Sequence, residues 1–482
     1  MNVRNRRQFL EDSMFATAAA VATGATTGLR AEEKPKNTSP NDKLNVAVVG
    51  VNGRGKSHLG AFVGRSDANI THICDADAAV GQRQVEKVAE RQQHAPKFSQ
   101  DIRKMLEDDS IDIVTVATPN HWHALASIWA MQAGKDVYVE KPVSHNVFEG
   151  RVIVDVARKE NKICQTGTQC RSNPGMIAAM DFVHQGGIGT VKVARGLCYK
   201  RRGSIGKRGE YASPESVDYD VWLGPAQQQA VTRPRFHYDW HWQSPFGNGD
   251  LGNQGIHQMD LARWGLGVDQ LSDSVISYGG RFGYEDAGDV ANTQVVLHAY
   301  GDKSLVFEVR GLETSDYKGA RVGVIFEGED GYVVMTSYSS GAAFDLDGNK
   351  IREFNGGADH YANFVAAVRS RDHRDLNADI LEGHLSSALC HLGNISYQLG
   401  DPIQVGELED RLQALEVADN AQQTLNRTLE HLQRNKVDYA ATPFHLGQHL
   451  PFDPATETFV DHPEADAMLT REYREPFVVR PV

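Results

Sequence analysis

Positive charge is what this sequence is short of: 50 Lys and Arg stand against 63 Asp and Glu, a formal net charge of −13. A hold on nucleic acid or on an anionic membrane surface needs a basic face, so neither partner is expected, and a small neutral or cationic molecule fits better. Cysteine is scarce as well. The five residues Cys74, Cys164, Cys170, Cys198 and Cys390 are odd in number and contain no C-x-x-C pair. They predict neither a disulfide framework nor a metal site, and read instead as small buried apolar residues. The weakly apolar stretch from Met14 to Leu29 is too short and too mild to span a bilayer.

That stretch follows Arg6-Arg7-Gln8-Phe9-Leu10, the pattern of a twin-arginine export signal with cleavage after Ala31. Residues 1–31 are therefore expected to be a signal peptide and the polar residues 32–42 a linker, with the mature protein periplasmic or otherwise exported. A nucleotide enzyme outside the cytoplasm has no free nucleotide pool. Its cofactor would have to be loaded inside and held tightly.

The chain of 482 residues is long enough for more than one core. Short apolar runs at Asn45–Val49, Ile70–Cys74, Ile111–Ala117, Asp136–Val139 and Ile163–Thr166 are separated by helical stretches, which predicts a parallel, doubly wound sheet over residues 43–168. Beyond about residue 170 the rhythm changes. Strand-like runs near Asp273–Tyr278, Thr293–Ala299, Ser304–Gly311, Arg321–Glu327 and Tyr332–Thr336 follow one another without helices, implying an α+β domain over 169–400 with a large, mostly antiparallel, open-faced sheet. One helix is expected over Leu408–Leu432, within a C-terminal segment 401–482 that ends in a wrapping tail.

Gly50-Val51-Asn52-Gly53-Arg54-Gly55 follows the first strand and opens a helix, the place where a dinucleotide pyrophosphate rests on backbone N–H groups. Asn52 stands where G-x-G-x-x-G has its second glycine, and Asn tolerates left-handed backbone angles. Asp75 ends the second strand, positioned to accept from ribose hydroxyls and repel a 2′-phosphate; this favours NAD over NADP. The alternative for Asp75 is a helix N-cap, a role Asp77 could take instead.

Two further segments carry the most specific signal. Thr118-Pro119-Asn120-His121-Trp122-His123 and Glu140-Lys141-Pro142 are joined by Gly249-Asp250-Leu251-Gly252-Asn253-Gln254-Gly255-Ile256-His257-Gln258-Met259-Asp260. On a helix, positions 253, 257 and 260 project from one face. These motifs resemble those of the glucose-fructose oxidoreductase and inositol dehydrogenase (Gfo/Idh/MocA) family, and the resemblance covers essentially the whole chain after residue 43. It implies an NAD-dependent oxidoreductase acting on a sugar, glycoside or cyclitol hydroxyl. Thr118, Pro119, Asn120, His123, Glu140, Lys141 and Gln169 would line the cofactor site, and Lys141 would reach both cofactor and substrate. His257 takes the position of the family's catalytic histidine. Asn253 replaces the usual aspartate, and an amide orients a hydroxyl but cannot act as a base. Dimer or tetramer contacts through the second sheet are a further implication.

A lysine at the end of a parallel strand, beside a nicotinamide that is positive when oxidised, should have a lowered pKa and exchange a proton. Arg171, Trp240, His241, Trp242, Asn253 and Asp260 are the candidate substrate contacts, since aromatic faces stack on sugar C–H surfaces and polar groups bind hydroxyls. Asp260 reads more as orienting His257 or anchoring its helix than as touching substrate. Lys200, His384, His391 and Asn394 are weaker candidates. The export signal and Asn253 keep a rival open: redox-neutral cleavage or epimerisation through a transient keto-sugar. A sugar-binding protein with a vestigial nucleotide fold is a third class, which Lys141 together with His257 argues against.

Overall fold

Runs such as Val46-Ala47-Val48-Val49 and Ile113-Val114-Thr115-Val116 are apolar on both faces, as a strand covered by helices on each side must be. In the computed structural model, which describes residues 43–415 and 417–482, they build a six-stranded parallel sheet. Its strands are β1 (Leu44–Val49), β2 (Ala68–Cys74), β3 (Lys97–Ser99), β4 (Ile113–Val116), β5 (Asp136–Val139) and β6 (Cys164–Thr166), in the order β3-β2-β1-β4-β5-β6. The order reverses between β1 and β4, and ligands of such sheets bind at that crevice, outside the carboxyl ends of the strands. β3 was not expected from the sequence. The signal and linker lie outside the described residues.

The second sheet has twelve strands. It begins with β7 (Val191–Tyr199), β8 (Ser274–Gly280), β9 (Thr293–Tyr300), β10 (Lys303–Arg310), β11 (Val322–Gly328) and β12 (Gly331–Met335), and continues through β13 (Gly341–Asp345) and β14 (Lys350–Phe354). All these neighbours pair antiparallel except β7 and β10, which run parallel at the centre. The expected tail supplies further short strands at Phe444–Leu446 and Leu450–Asp453, both paired with β8.

Helices Gly255–Leu266 and Ile380–Gln398 cover one face of this sheet. The first sits very close: a Cβ on Gly265 would lie 2.2 Å from the Phe326 ring. The other face is not simply open. The single helix expected over 408–432 is two, Val405–Gln413 and Ala421–Arg434, whose Leu408, Leu412, Leu425 and Leu432 pack on Ile276, Val295, Leu297 and Val306. Helix Ile380–Gln398 also reaches the first sheet, where the Ser387 hydroxyl accepts from the Val143 N–H at 3.1 Å. It thereby holds the turn after Lys141. All five cysteines are buried and free.

Candidate active site

The dinucleotide turn depends on two glycines. Gly50 has φ +78°, and a Cβ there would lie 2.7 Å from the backbone of Ala117 and Thr118; one on Gly55 would lie 1.8 Å from the Gly50 carbonyl oxygen. The left-handed angle falls at Gly50, so Asn52 keeps an ordinary backbone. Helix Gly55–Phe62 starts here with no capping side chain and no acidic residue in its first turn, and open space lies over Gly53. These features fit a pyrophosphate, whose charge the helix N-terminus favours. Asp75 accepts from the N–H groups of Val51 (2.8 Å) and Asp77 (3.0 Å), while Asp77 caps helix Ala78–Gln92.

Glu140 follows β5 and is buried beneath Gly167. Arg54 Nε donates to it at 2.9 Å, His58 bonds it at 3.2 Å, and Gln169 reaches it at 3.5 Å. Arg54 and His58 hold its carboxyl well below the usual range against the opposing effect of burial. Glu140, Arg54 and Gln169, assigned to the cofactor from sequence, thus meet one another, and the buried Glu140 acts by positioning. His123 does likewise. Its ring nitrogens lie 2.6 Å from the Pro142 carbonyl oxygen and 2.9 Å from that of Thr118, tying the two motif turns together. Pro119 precedes helix Asn120–Gln132, and Asn120 donates to the Asn248 side chain at 3.1 Å. The Thr118 hydroxyl is buried and unpartnered.

Lys141 Nζ donates to the Asn253 carbonyl oxygen at 2.7 Å. Burial lowers its pKa from 10.5 to about 8, helped by the charges of Arg54, Lys200 and Arg202 and opposed by Glu140. The protein's own groups are thus enough to lower it. Asn253 does not stand on the helix that carries His257: it falls in the break between Gly249–Gly252 and Gly255–Leu266, which frees its carbonyl for Lys141. His257 is buried against Tyr338 with ring centroids 4.8 Å apart, and its Nδ1 has no partner. Burial, then the Lys141 charge, push its pKa well down, so it is a neutral imidazole at physiological pH. Lys200 donates to Gln254, which in turn donates to the Tyr338 hydroxyl.

Residues 44–168 match the model described as oxidoreductase family, NAD-binding Rossmann fold, and residues 190–429 match the C-terminal alpha/beta domain of the same family. The chain belongs to the Gfo/Idh/MocA oxidoreductase family. Its first sheet is an NAD-binding Rossmann domain. Among similar proteins, a glycosyl hydrolase family 109 protein of Shewanella sp. strain W3-18-1 is 30% identical over 200 residues, covering 38% of this chain and 44% of the relative. The same identity and coverage hold for an alpha-N-acetylgalactosaminidase of Shewanella oneidensis. The match thus spans less than half of these relatives' length. The WlbA dehydrogenase of Bordetella pertussis, solved with NADH and UDP-GlcNAcA, shares the fold at TM-score 0.54 and 21% identity over 73% of this chain and 95% of that one. A levoglucosan dehydrogenase solved with NADH and levoglucosan does so at TM-score 0.53 and 18% identity, covering 73% and 96%.

Within this Gfo/Idh/MocA site, three candidate substrate contacts, Asp260, Arg171 and Trp242, need correction. Asp260 is fully buried, accepting two bonds from Arg171 Nε, one from Arg171 Nη2 at 2.9 Å and one from the Ser386 hydroxyl. Arg171 also pairs with Glu382. A buried pair bonded in this way anchors the helix and is not aimed at a sugar. Trp242 is also buried, packed on Ile205 and Ala287 with the Arg202 guanidinium over its ring. Trp240 and His241 remain half-buried and stacked, centroids 3.6 Å apart. His384 bonds Glu457, and His391 and Asn394 bond around Asn248; these are internal supports. Tyr338 and Arg202, which sequence reasoning did not single out, join the site through nonlocal contacts without a motif of their own.

Proposed function

We propose that this protein oxidises a hydroxyl-bearing carbon of a sugar, glycoside or cyclitol with tightly held NAD. The observation that carries the reading is Lys141: an amine with a pKa of about 8, fixed on the Asn253 carbonyl beside a neutral His257 whose Nδ1 has no partner. Gly50, Gly55, Asp75 and the uncapped helix start would hold the dinucleotide. Bound NAD supplies a nicotinamide able to accept hydride from the substrate carbon. Neutral Lys141 takes the hydroxyl proton, and the Asn253 carbonyl orients the resulting ammonium. His257 bonds a neighbouring hydroxyl and fixes the ring.

A second reading is favoured by the relatives named as glycosidases: cleavage of a glycoside without net redox, in which a transient substrate carbonyl acidifies the adjacent C–H. The twin-arginine pattern supports export in either case, and replacing Arg6 and Arg7 by Lys should leave the protein in the cytoplasm. Denaturing purified protein and identifying released nucleotide, then supplying sugars and glycosides to the intact protein, separates the readings. Stoichiometric keto-product with reduced nucleotide supports the first, and bond cleavage without added acceptor the second. Full activity in Lys141→Ala would overturn both.

A further inference from the structure

Tyr238 stands in the aromatic segment whose His241 feels the Lys141 charge, and the packing of the fold does not call for its conformation. Its backbone sits at φ 69° and ψ −45°, and the Asp239 N–H donates to the His237 carbonyl at 2.9 Å, closing a γ-turn around it. This form of the turn is rare and strained, and strain of this kind collects at functional sites. Glycine would occupy the position more easily, yet an aromatic side chain stands there, 50% exposed. The turn is pinned from both flanks: Asp239 is held by Arg235 at 2.6 Å, and His237 bonds Asp77 at 2.9 Å. On its inner side the ring meets His241, centroids 4.7 Å apart, and Trp242 at 5.6 Å, while Arg202 donates to its hydroxyl at 3.2 Å.

Arg202 also connects this ring to the chemistry. Its guanidinium makes a two-pronged pair with Asp250 at 2.7–3.2 Å, on the short helix that ends at Asn253, whose carbonyl holds Lys141. Tyr238 and the proton acceptor are thus joined by one short string of bonded residues. His241, against which the ring packs, lies close enough to Lys141 to feel its charge.

We infer that Tyr238 is a specificity residue: with the stacked Trp240 and His241 it forms a platform that takes the C–H face of a second sugar ring, linked to the ring that reaches Lys141. The inference rests on the carbohydrate reading proposed above. A two-ring substrate gains the stacking contact; a single ring reaching Lys141 does not. The platform therefore favours glycosides and oligosaccharides over free monosaccharides.

The test uses NAD-loaded protein in the Lys141→Ala background, titrated calorimetrically with a panel of methyl pyranosides and the disaccharides that contain the same rings. Disaccharides are expected to bind more tightly than their one-ring counterparts. Tyr238→Gly, which relieves the turn and keeps the fold, should lower the two-ring to one-ring affinity ratio about tenfold, the size of one lost aromatic contact. Tyr238→Phe should preserve the ratio, because the stacking face remains. If sugars bind but the ratio in Tyr238→Gly is unchanged, or Tyr238→Phe falls as far as Tyr238→Gly, the platform is wrong and the carbohydrate reading stands. Binding of no panel member overturns both.

Discussion

Lys141 is poised by its surroundings. An ordinary lysine is an ammonium at neutral pH and has no lone pair to accept a proton; burial and the nearby cations bring this one to about 8. In the proposed oxidation only the neutral amine can take the hydroxyl proton, so kcat/KM should rise as pH approaches about 8 and level off above it. Lys141→Arg cannot lose its proton in that range, so the variant should lose the rising limb and at least about 100-fold in kcat. Steady-state rates across pH, with NAD occupancy verified, check this; an unaltered limb in the variant would assign it to another group. The sequence made this residue legible because a short motif on one strand end needs no distant partner to be read. Arg171 was misread for the converse reason: 89 positions from Asp260, it looks available until the fold pairs them, and the same pairing settles Asp260 as the helix anchor, one of its two expected roles.

At the scale of elements, the centre of the large sheet is fastened to helix Ala421–Arg434 by charge. Glu308 on β10 accepts from Arg195 and Tyr199 on β7, from Arg310, and from Arg427 on that helix at 2.6 Å. The three guanidiniums lower its pKa from 4.5 to about 2 against the effect of burial. A depressed folded-state pKa contributes stability that is present above 4.5 and is lost as pH falls toward about 2. Glu308→Gln leaves Arg310 and Arg427 without their acidic partner, Arg195 keeping Asp419, and should cost roughly 3–5 kcal/mol at neutral pH, read as a lower urea midpoint with NAD affinity retained. The variant should also lose this part of the wild type's acid sensitivity. None of this network shows in sequence, since β7 and β10 pair in parallel across a long connection. The strands themselves were readable where apolar runs were long. β3 and β14 were missed because Lys97-Phe98-Ser99 is very short and Lys350-Ile351-Arg352-Glu353-Phe354 carries the charge of an exposed edge.

For the whole molecule, the C-terminal tail is a working part of the Rossmann core. Phe477 and Val479 are buried there, Phe477 lying edge-on to Trp122 with centroids 5.5 Å apart. On the way, Arg471 donates to the Pro245 carbonyl at 3.2 Å, and Arg474 donates to those of Gly224 and Asp220. The tail therefore binds the 220–245 region, which carries the aromatic segment, to the helix that begins with Asn120. Phe477→Ala removes a fully buried ring and should cost about 3–5 kcal/mol of stability. Because the cavity opens beneath Trp122, tryptophan emission should shift to longer wavelength. Loosening of 220–245 should then raise KM more than it lowers kcat, since Lys141 and Asn253 are fixed from elsewhere. Thermal unfolding, emission spectra and steady-state kinetics on the one variant test these together. A lower transition with unaltered KM would mean that the tail stabilises the Rossmann domain without positioning the aromatic segment.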